Sequence, residues 1–219
     1  RGNPRIRVHY SPQPAYAQHS AKLEETADCL KVMTTQGPYE SAYLYSNLPL
    51  GDIARAEEIS ITQDSFMLMS YNQKLIPPNI DWVHLEYQRT KIYWLDWLSK
   101  TQACTEYQEH LERSILVLKL LAYQKTGAIL AAVTTSLPET IGEVRNWDYR
   151  YCWLRDASMT IRILARLGHY NVAQRFLDFI LDIIPFKNEK IQIMYSINPR
   201  RQIKELELPW LAGYEGSTP

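Results

Sequence analysis

The chain has 219 residues, of which 46% are hydrophobic and 11% aromatic, enough to bury the core of one large domain or of parts of two. Its 24 basic and 24 acidic side chains give a formal net charge of zero, which excludes the strong positive field that attracts nucleic acid or anionic lipid. We therefore expect neither nucleic acid nor a membrane surface as a partner.

The cysteines and histidines are too scattered to predict a metal or disulfide site. The three cysteines are Cys29, Cys104 and Cys152, an odd number without a Cys-x-x-Cys pair. The five histidines form no His-x-His or His-x-x-x-His pair. We expect no metal and no cofactor, and the free thiols indicate a reducing cytoplasm.

The two ends of the sequence have the character of a truncated chain. It opens on Arg1 rather than Met, and residues 211–219 include Gly and Ser but no capped helix or closing strand. No leader-type segment opens it, and its apolar runs fall short of the roughly 20 residues that a membrane span needs. We expect a piece of a longer protein, whose oligomeric state the sequence leaves open.

Residues 1–72 have the pattern of β-strands. Ile6, Val8 and Tyr10 alternate with polar side chains, and Ile59 and Ile61 do the same further along. Turn-forming Gly, Pro and Asn residues separate these runs, as in chains that join antiparallel strands. The sequence predicts part of an antiparallel β-sandwich.

After Pro77-Pro78 the hydrophobic period changes to that of helices. Four helices are predicted, at Leu85–Leu98, Tyr107–Ala122, Ala157–Leu167 and from Asn171 onward. Gly168 suits the left-handed cap that ends a helix. On the last helix the inward side chains are expected to be Val172, Phe176, Phe179, Ile180 and Ile183. A small hairpin is predicted within 191–208, and the helices favour an α/α arrangement, so the fold class is α+β multidomain.

Residues 145–156 carry the chemistry. Four aromatic and five charged side chains occur in these twelve positions, immediately before a predicted helix. A sugar ring needs this mixture, because aromatic planes cover its C–H faces while Arg and carboxylate groups bind its hydroxyls. Arg155 and Asp156 offer a donor fork beside an acceptor.

A purely structural interpretation of the same segment is equally consistent with its composition. Asp156 would then be the N-cap of the following helix and Arg155 a surface ion-pair partner. The four rings would be packing between elements. Composition alone names no reaction.

Longer runs of sequence resemble a known family. Residues 126–139 and 145–157 are similar to the start of the catalytic domain in bacterial members of glycoside hydrolase family 15, the glucoamylase and trehalase-like family. The resemblance continues through residues 192–195 and 213–217, and residues 93–97 resemble the family's linker helix. It implies three regions: 1–75 as the C-terminal part of an N-terminal β-sandwich domain, 76–105 as a linker helix region and 106–219 as the N-terminal part of a truncated (α/α)6 toroid.

The family resemblance also implies a pocket for a terminal glucose unit. Arg155 and Asp156 would bind the hydroxyls of this sugar, and Trp153 would line the same pocket. Tyr149 would face the ring that acquires oxocarbenium character. Tyr214 would lie near the adjoining sugar.

The implied reaction is inverting hydrolysis of terminal α-glucosidic bonds, glucoamylase-type, which releases glucose from an α-glucan, a maltooligosaccharide or trehalose. Such hydrolysis uses one carboxylic acid and one carboxylate base. In the family both are glutamates that follow the last residue of this sequence, so the prediction includes no catalytic residue within the chain. Asp178 and Asp182 share a helix face, which is typical of a solvated surface. The chain alone is expected to be inactive.

Three alternatives remain at this point. The first is a trehalase of the same family, because the leaving-sugar subsites fall mostly outside the chain. The second is a non-catalytic sugar-binding or regulatory module that retains the pocket but not the acid and base. The third is a protein-interaction scaffold, in which Arg155 would have no role.

Overall fold

A computed structural model describes residues 2–37, 39–104, 106–184, 190–198 and 203–219. The chain divides into two compact units, Arg1–Ile92 and Tyr93–Pro219. Antiparallel strands dominate the first and helices the second, so the mixed α+β class is confirmed. The β-sandwich, the toroid and the boundaries at 75/76 and 105/106 stay predictions.

The first unit is built around an antiparallel sheet. Its elements are β1 (Arg5–Arg7), the single turn α1 (Pro14–Ala17), β2 (Ala21–Glu25), β3 (Leu30–Thr34), β4 (Ser41–Ser46), the short helix α2 (Leu50–Ala54), β5 (Glu58–Ser60) and β6 (Met67–Tyr71). The sheet has the order β2-β3-β4-β6, and β1 pairs separately with β5. Ile6 lies opposite Ile59, which confirms a strand in each alternating run, but Val8, Tyr10 and Ile61 lie outside these short strands.

Two buried clusters use opposite faces of β4, since successive side chains of a strand point to opposite sides. One contains Leu30, Leu44, Ile53 and Ile59. The other contains Cys29, Tyr43, Tyr45 and Phe66. The hydroxyl of Tyr45 donates to the carbonyl of Leu75 at 3.2 Å, so the polar end of this buried ring is satisfied.

The predicted helices are all present, with shifted bounds. They are α3 (Ile80–Ser99), α4 (Gln108–Leu120), α5 (Leu154–Arg166) and α6 (Tyr170–Ile183). The first of these starts five residues before its predicted position, because the Asn79 side chain accepts the Trp82 main-chain N–H at 2.8 Å and caps the helix there. Two short strands, β7 (Cys152–Trp153) and β8 (Met194–Tyr195), pair with each other.

Two local predictions are wrong. Tyr107 is predicted to begin the second of these helices, but it precedes α4 with a φ of +57° and is 77% exposed. The hairpin within 191–208 does not form in the described residues. There β8 pairs with β7 instead, and 203–208 contains no strand; residues 199–202 lie outside the described part.

The α5–α6 pair forms the packed core next to residues 145–156. Val172, Phe176, Phe179 and Ile183 are buried and Ile180 is half-buried, which confirms the predicted inward face. Gly168 joins the two helices with a φ of +93°, as the cap prediction requires. The core here also includes Cys152 and Tyr195, so both short strands are anchored in it.

No helix among the described residues is long and apolar enough to cross a membrane. The same residues contain no group of three His, Cys, Asp or Glu side chains placed to hold a metal ion.

Candidate functional site

The aromatic segment is held along most of its length by a neighbouring stretch of chain. Residues 131–139 run antiparallel to 145–151, and the bonds are Ala131 N to Tyr151 O (3.1 Å), Ala132 N to Tyr149 O (2.9 Å), Ser136 N to Trp147 O (2.8 Å) and Glu139 N to Arg145 O (2.9 Å). The side chain of Ser136 also accepts the Trp147 N–H at 2.8 Å. The segment is therefore a paired, irregular ribbon rather than a free loop.

The start of α5 places Arg155 and Asp156 at the end of this ribbon. Cys152 is fully buried, burial raises the pKa of its thiol, and its strand is paired with Tyr195. The Leu154 N–H donates to the carbonyl of Ile193 at 3.1 Å. The helix begins directly after this anchor, with Trp153 as its N-cap residue. The interpretation of Asp156 as the N-cap is wrong, because Asp156 lies inside the first turn.

Four of the five predicted site residues come together around Trp153. The Tyr149 ring stands edge-on to the Trp153 ring, with 5.8 Å between centroids and 68° between planes. The guanidinium carbon of Arg155 lies 5.9 Å from the Trp153 centroid. Arg155 in turn forms an ion pair with Asp156, Nη2 to Oδ2, at 3.1 Å. Trp147 adds a perpendicular ring, 6.4 Å from Trp153.

The Asp156 carboxylate has one oxygen that is shielded but accepts no hydrogen bond within the described ranges of the chain. Its Oδ2 is shielded from water and has no hydrogen-bond partner among the described residues, because the Arg155 contact is an ion pair without hydrogen-bond alignment. The Arg155 side chain is 66% exposed, so most of its donors are free to meet a ligand. Apart from the charge of Arg155, this shielded oxygen meets no aligned donor among the described residues, so a hydrogen bond from a ligand would lower its free energy.

Tyr214 lies apart from these four side chains. It begins a 3-10 turn (Tyr214–Gly216) and is 49% exposed. Its segment is tied to the ribbon, because the Ser217 Oγ accepts the Gly142 N–H at 2.9 Å and Asn146 donates to the Thr218 carbonyl at 2.8 Å. Within the described residues no hydrogen bond or ring contact joins Tyr214 to the cluster around Trp153.

The comparisons with known proteins assign this ribbon and helix pair to a family. The family model for glycosyl hydrolases family 15 matches residues 105–219, just over half of the chain. The chain belongs to glycosyl hydrolase family 15. The resemblance drawn from the sequence is thereby confirmed, and the match includes the entire cluster around Trp153.

Several curated relatives are trehalases. The chain is 43% identical over 136 residues to the trehalase of Thermoplasma acidophilum, and this alignment covers 62% of the chain and 23% of that protein. It is 32% identical over 229 residues to the trehalase of Mycobacterium tuberculosis, which covers 98% of the chain and 34% of that protein. The trehalase of Mycolicibacterium smegmatis is 33% identical over 214 residues, 94% of the chain and 31% of its own length. The chain thus spans about a third or less of these relatives. No solved structure matched it.

Sequence reasoning missed an ion pair inside this family 15 segment. The Asp148 carboxylate accepts the Arg150 main-chain N–H at 2.9 Å and its guanidinium at 3.0 Å (Nε) and 2.8 Å (Nη2). Partial burial by itself would raise the pKa of Asp148, but the hydrogen bonds and charge of Arg150 together lower it below its ordinary value. The signal in the sequence was the Asp-x-Arg spacing within a turn.

A cavity of about 260 Å³ lies at the other end of α5. Its lining includes Lys100, Lys119 and His169, and His169 stacks on Trp97 with 3.8 Å between centroids. Burial, then the positive charges of Lys119 and Lys100, lower the pKa of His169. A 13-residue helix is about 20 Å long, so this cavity is distinct from the family 15 cluster around Trp153.

Proposed function

We propose that the protein is a trehalase of family 15, which hydrolyses α,α-trehalose to glucose. Its support is that the curated relatives named above are trehalases and that the two mycobacterial proteins align along nearly the whole chain. The glucoamylase-type reading favoured from the sequence has no such support, and the trehalase alternative fits the relatives better. The cytoplasmic location stays a prediction.

The observation that carries the sugar-binding part of the proposal is the Oδ2 of Asp156, which accepts no hydrogen bond among the described residues, beside the exposed fork of Arg155. Neighbouring hydroxyls of a glucose ring supply a donor and an acceptor side by side. One hydroxyl would donate to Oδ2 of Asp156, and the next would accept from Arg155. Binding would thus supply the shielded carboxylate oxygen with a hydrogen-bond donor.

The two rings complete the pocket. Trp153 would cover a C–H face of the glucose unit, and Tyr149 would direct its electron-rich face and oxygen at the carbon that becomes positively charged. Such an arrangement favours the transition state over the bound substrate, because the positive charge is absent from the ground state. The residues of this chain would therefore bind and orient the glucose unit and stabilise the positive charge of its transition state.

We assign the acid and base to parts of the family fold outside this chain. The alignments cover 31% and 34% of the two mycobacterial proteins, so about two thirds of each lies outside the aligned segment. The two carboxyl groups of an inverting enzyme flank the glycosidic bond at roughly 6.5 to 9.5 Å from each other. On this proposal residues 106–219 begin an (α/α)6 toroid, residues 1–75 belong to a β-sandwich, and Tyr214 contacts the second glucose.

The test is the substrate preference of the full-length gene product. We expect kcat/KM for trehalose to exceed that for maltose at least about tenfold, because the leaving sugar is discriminated by its own hydrogen bonds. Glucose release from each substrate is measured under the same conditions. Equal or better hydrolysis of maltose would return the assignment to a glucoamylase. Glucose binding without hydrolysis of either sugar would identify a binding module.

A further inference from the structure

The turn that separates Trp147 from Trp153 contains more hydrogen bonds than a turn requires. We propose that Asp148 and Arg150 are positioning residues that hold the Tyr149 and Trp153 rings at the angle used in catalysis. This inference rests on the proposed function, since it adds two residues to the same site. Neither residue touches the sugar on this proposal.

The side-chain contacts of Asp148 fix the turn on its inner side. A turn of this kind is closed by one hydrogen bond, which the main-chain N–H two residues on donates to the Asp side chain. Here the Arg150 N–H donates to Oδ1 of Asp148 at 2.9 Å. The guanidinium of Arg150 adds two parallel bonds to the same carboxylate, at 3.0 and 2.8 Å. Such bidentate pairs fix an orientation as well as a distance.

The main chain of the same turn binds the Trp153 ring directly and is itself anchored at Tyr149. The Trp153 indole N–H donates to the main-chain carbonyl of Asp148 at 2.9 Å, and the Ala132 N–H donates to the carbonyl of Tyr149 at 2.9 Å. Tyr149 therefore sits in a turn whose flanking residues are both fixed by the ion pair. We therefore expect a change in this turn to alter the 68° angle between the Tyr149 and Trp153 planes.

The exposure of the pair argues against a role in stabilising the fold. The side chains of Asp148 and Arg150 are 27% and 41% exposed, and neither belongs to a buried cluster of the second unit. Ion pairs at such exposure contribute little to stability. Their effect is therefore expected on the geometry of the rings.

The experiment compares Arg150→Lys and Asp148→Asn in the full-length enzyme, with Arg55→Lys as a matched control. Lysine keeps the positive charge but loses the bidentate fork. Arg55 forms a similarly exposed fork with Asp52 and Glu57, far along the chain from these rings. We expect Arg150→Lys and Asp148→Asn to lower kcat at least about tenfold with KM changed less than about threefold. The control should keep wild-type kcat, and all three variants should keep the wild-type melting temperature within about 2 °C.

A double-mutant cycle shows whether Arg150 acts through Tyr149. In a Tyr149→Ala background the effect of Arg150→Lys on kcat should shrink at least about threefold, because one of the two positioned rings is absent and only Trp153 remains to be oriented. An undiminished effect in that background, or a kcat unchanged by either single variant, would overturn the inference.

The substrate is whichever of trehalose or maltose the wild type hydrolyses, so a wrong substrate assignment is detected separately. If it hydrolyses neither, near-ultraviolet circular dichroism of the same variants reports the geometry of the Tyr149 and Trp153 rings, and spectra equal to those of the wild type and the control would also overturn it.

Discussion

Asp156 on α5 and Asp178 on α6 differ in their surroundings. Asp156 has a shielded oxygen without a hydrogen-bond partner, whereas Asp178 on α6 is exposed to solvent. In the full-length enzyme we expect Asp156→Ala to lower kcat/KM at least about 100-fold, because a charge-assisted bond to the reacting sugar is lost. Asp178→Ala should stay within about twofold of wild type. Steady-state kinetics on trehalose measures both.

The melting temperature of each variant is the control for this comparison. Removing a carboxylate from the first turn of a helix costs a small amount of stability through the helix dipole, so the folded fraction of Asp156→Ala must be established before kinetics. Equal kcat/KM values for the two alanine variants would contradict the subsite assignment.

The sequence predicted the residues of the ring cluster but not the contacts that fix them. Residues 145–156 stand out by composition, because aromatic and charged side chains are dense there. The resemblance to family 15 singled out Tyr149, Trp153, Arg155 and Asp156 within this segment. The bonds between Asp148 and Arg150 depend on a turn conformation, which side-chain periodicity does not encode. Nor does the sequence show that Oδ2 of Asp156 lacks a hydrogen bond, since this follows from three-dimensional packing.

At the scale of elements, the turn before residue 128 approaches α6 so closely that only glycine fits. Gly127 has a φ of +85°, and a Cβ there would collide with the main-chain carbonyl of Arg175 on α6. Gly142 also has a φ of +85°, but a Cβ there would meet nothing within 4 Å. We expect Gly142→Ala to destabilise by about 1 kcal/mol from its backbone conformation alone. Gly127→Ala should cost about 3 kcal/mol or more, because steric overlap is added.

Thermal unfolding of the two variants measures this difference. Since φ is the same at both glycines, the gap between their melting temperatures isolates the close approach of the turn to α6. Equal melting temperatures would mean that the turn moves away at no cost and that the helix does not depend on this contact.

Helices were more predictable than short strands, for a physical reason. Hydrophobic side chains recurring at spacings of three and four located the helices. The errors arose at helix ends that single side chains determine, such as Asn79 at the start of α3. Strands β7 and β8 have two residues each and pair across about 40 positions of sequence, too short for any alternation to indicate a partner. The hairpin predicted within 191–208 failed for this reason.

At the scale of the whole molecule, the second unit has apolar side chains that no described residue covers. Met159 and Ile163 on α5 are 62% and 42% exposed, and Leu177 and Leu181 on α6 are 53% and 56% exposed. Each pair is spaced by four residues and so forms a second apolar stripe on its helix. We expect the 219-residue chain alone to bind a hydrophobic fluorescent dye and to give no trehalose turnover above background. The full-length protein should bind less dye per molecule and be active.

Both readouts are taken on purified 219-residue chain, with the full-length protein as the reference. Measurable turnover by the short chain would refute the placement of the acid and base outside it. A short chain that binds no more dye than the full-length protein would show that the two stripes are already covered.

The three thiols differ sharply in their access to water. Cys29 and Cys152 are 1% and 0% exposed, whereas Cys104 is exposed and precedes α4. A maleimide reagent therefore has one reactive position on the native 219-residue chain and three on the denatured chain, a mass difference that reports on folding. An attached fluorophore would lie between α3 and α4, before the ribbon and its rings in sequence, and would leave the proposed sugar-binding side chains unmodified.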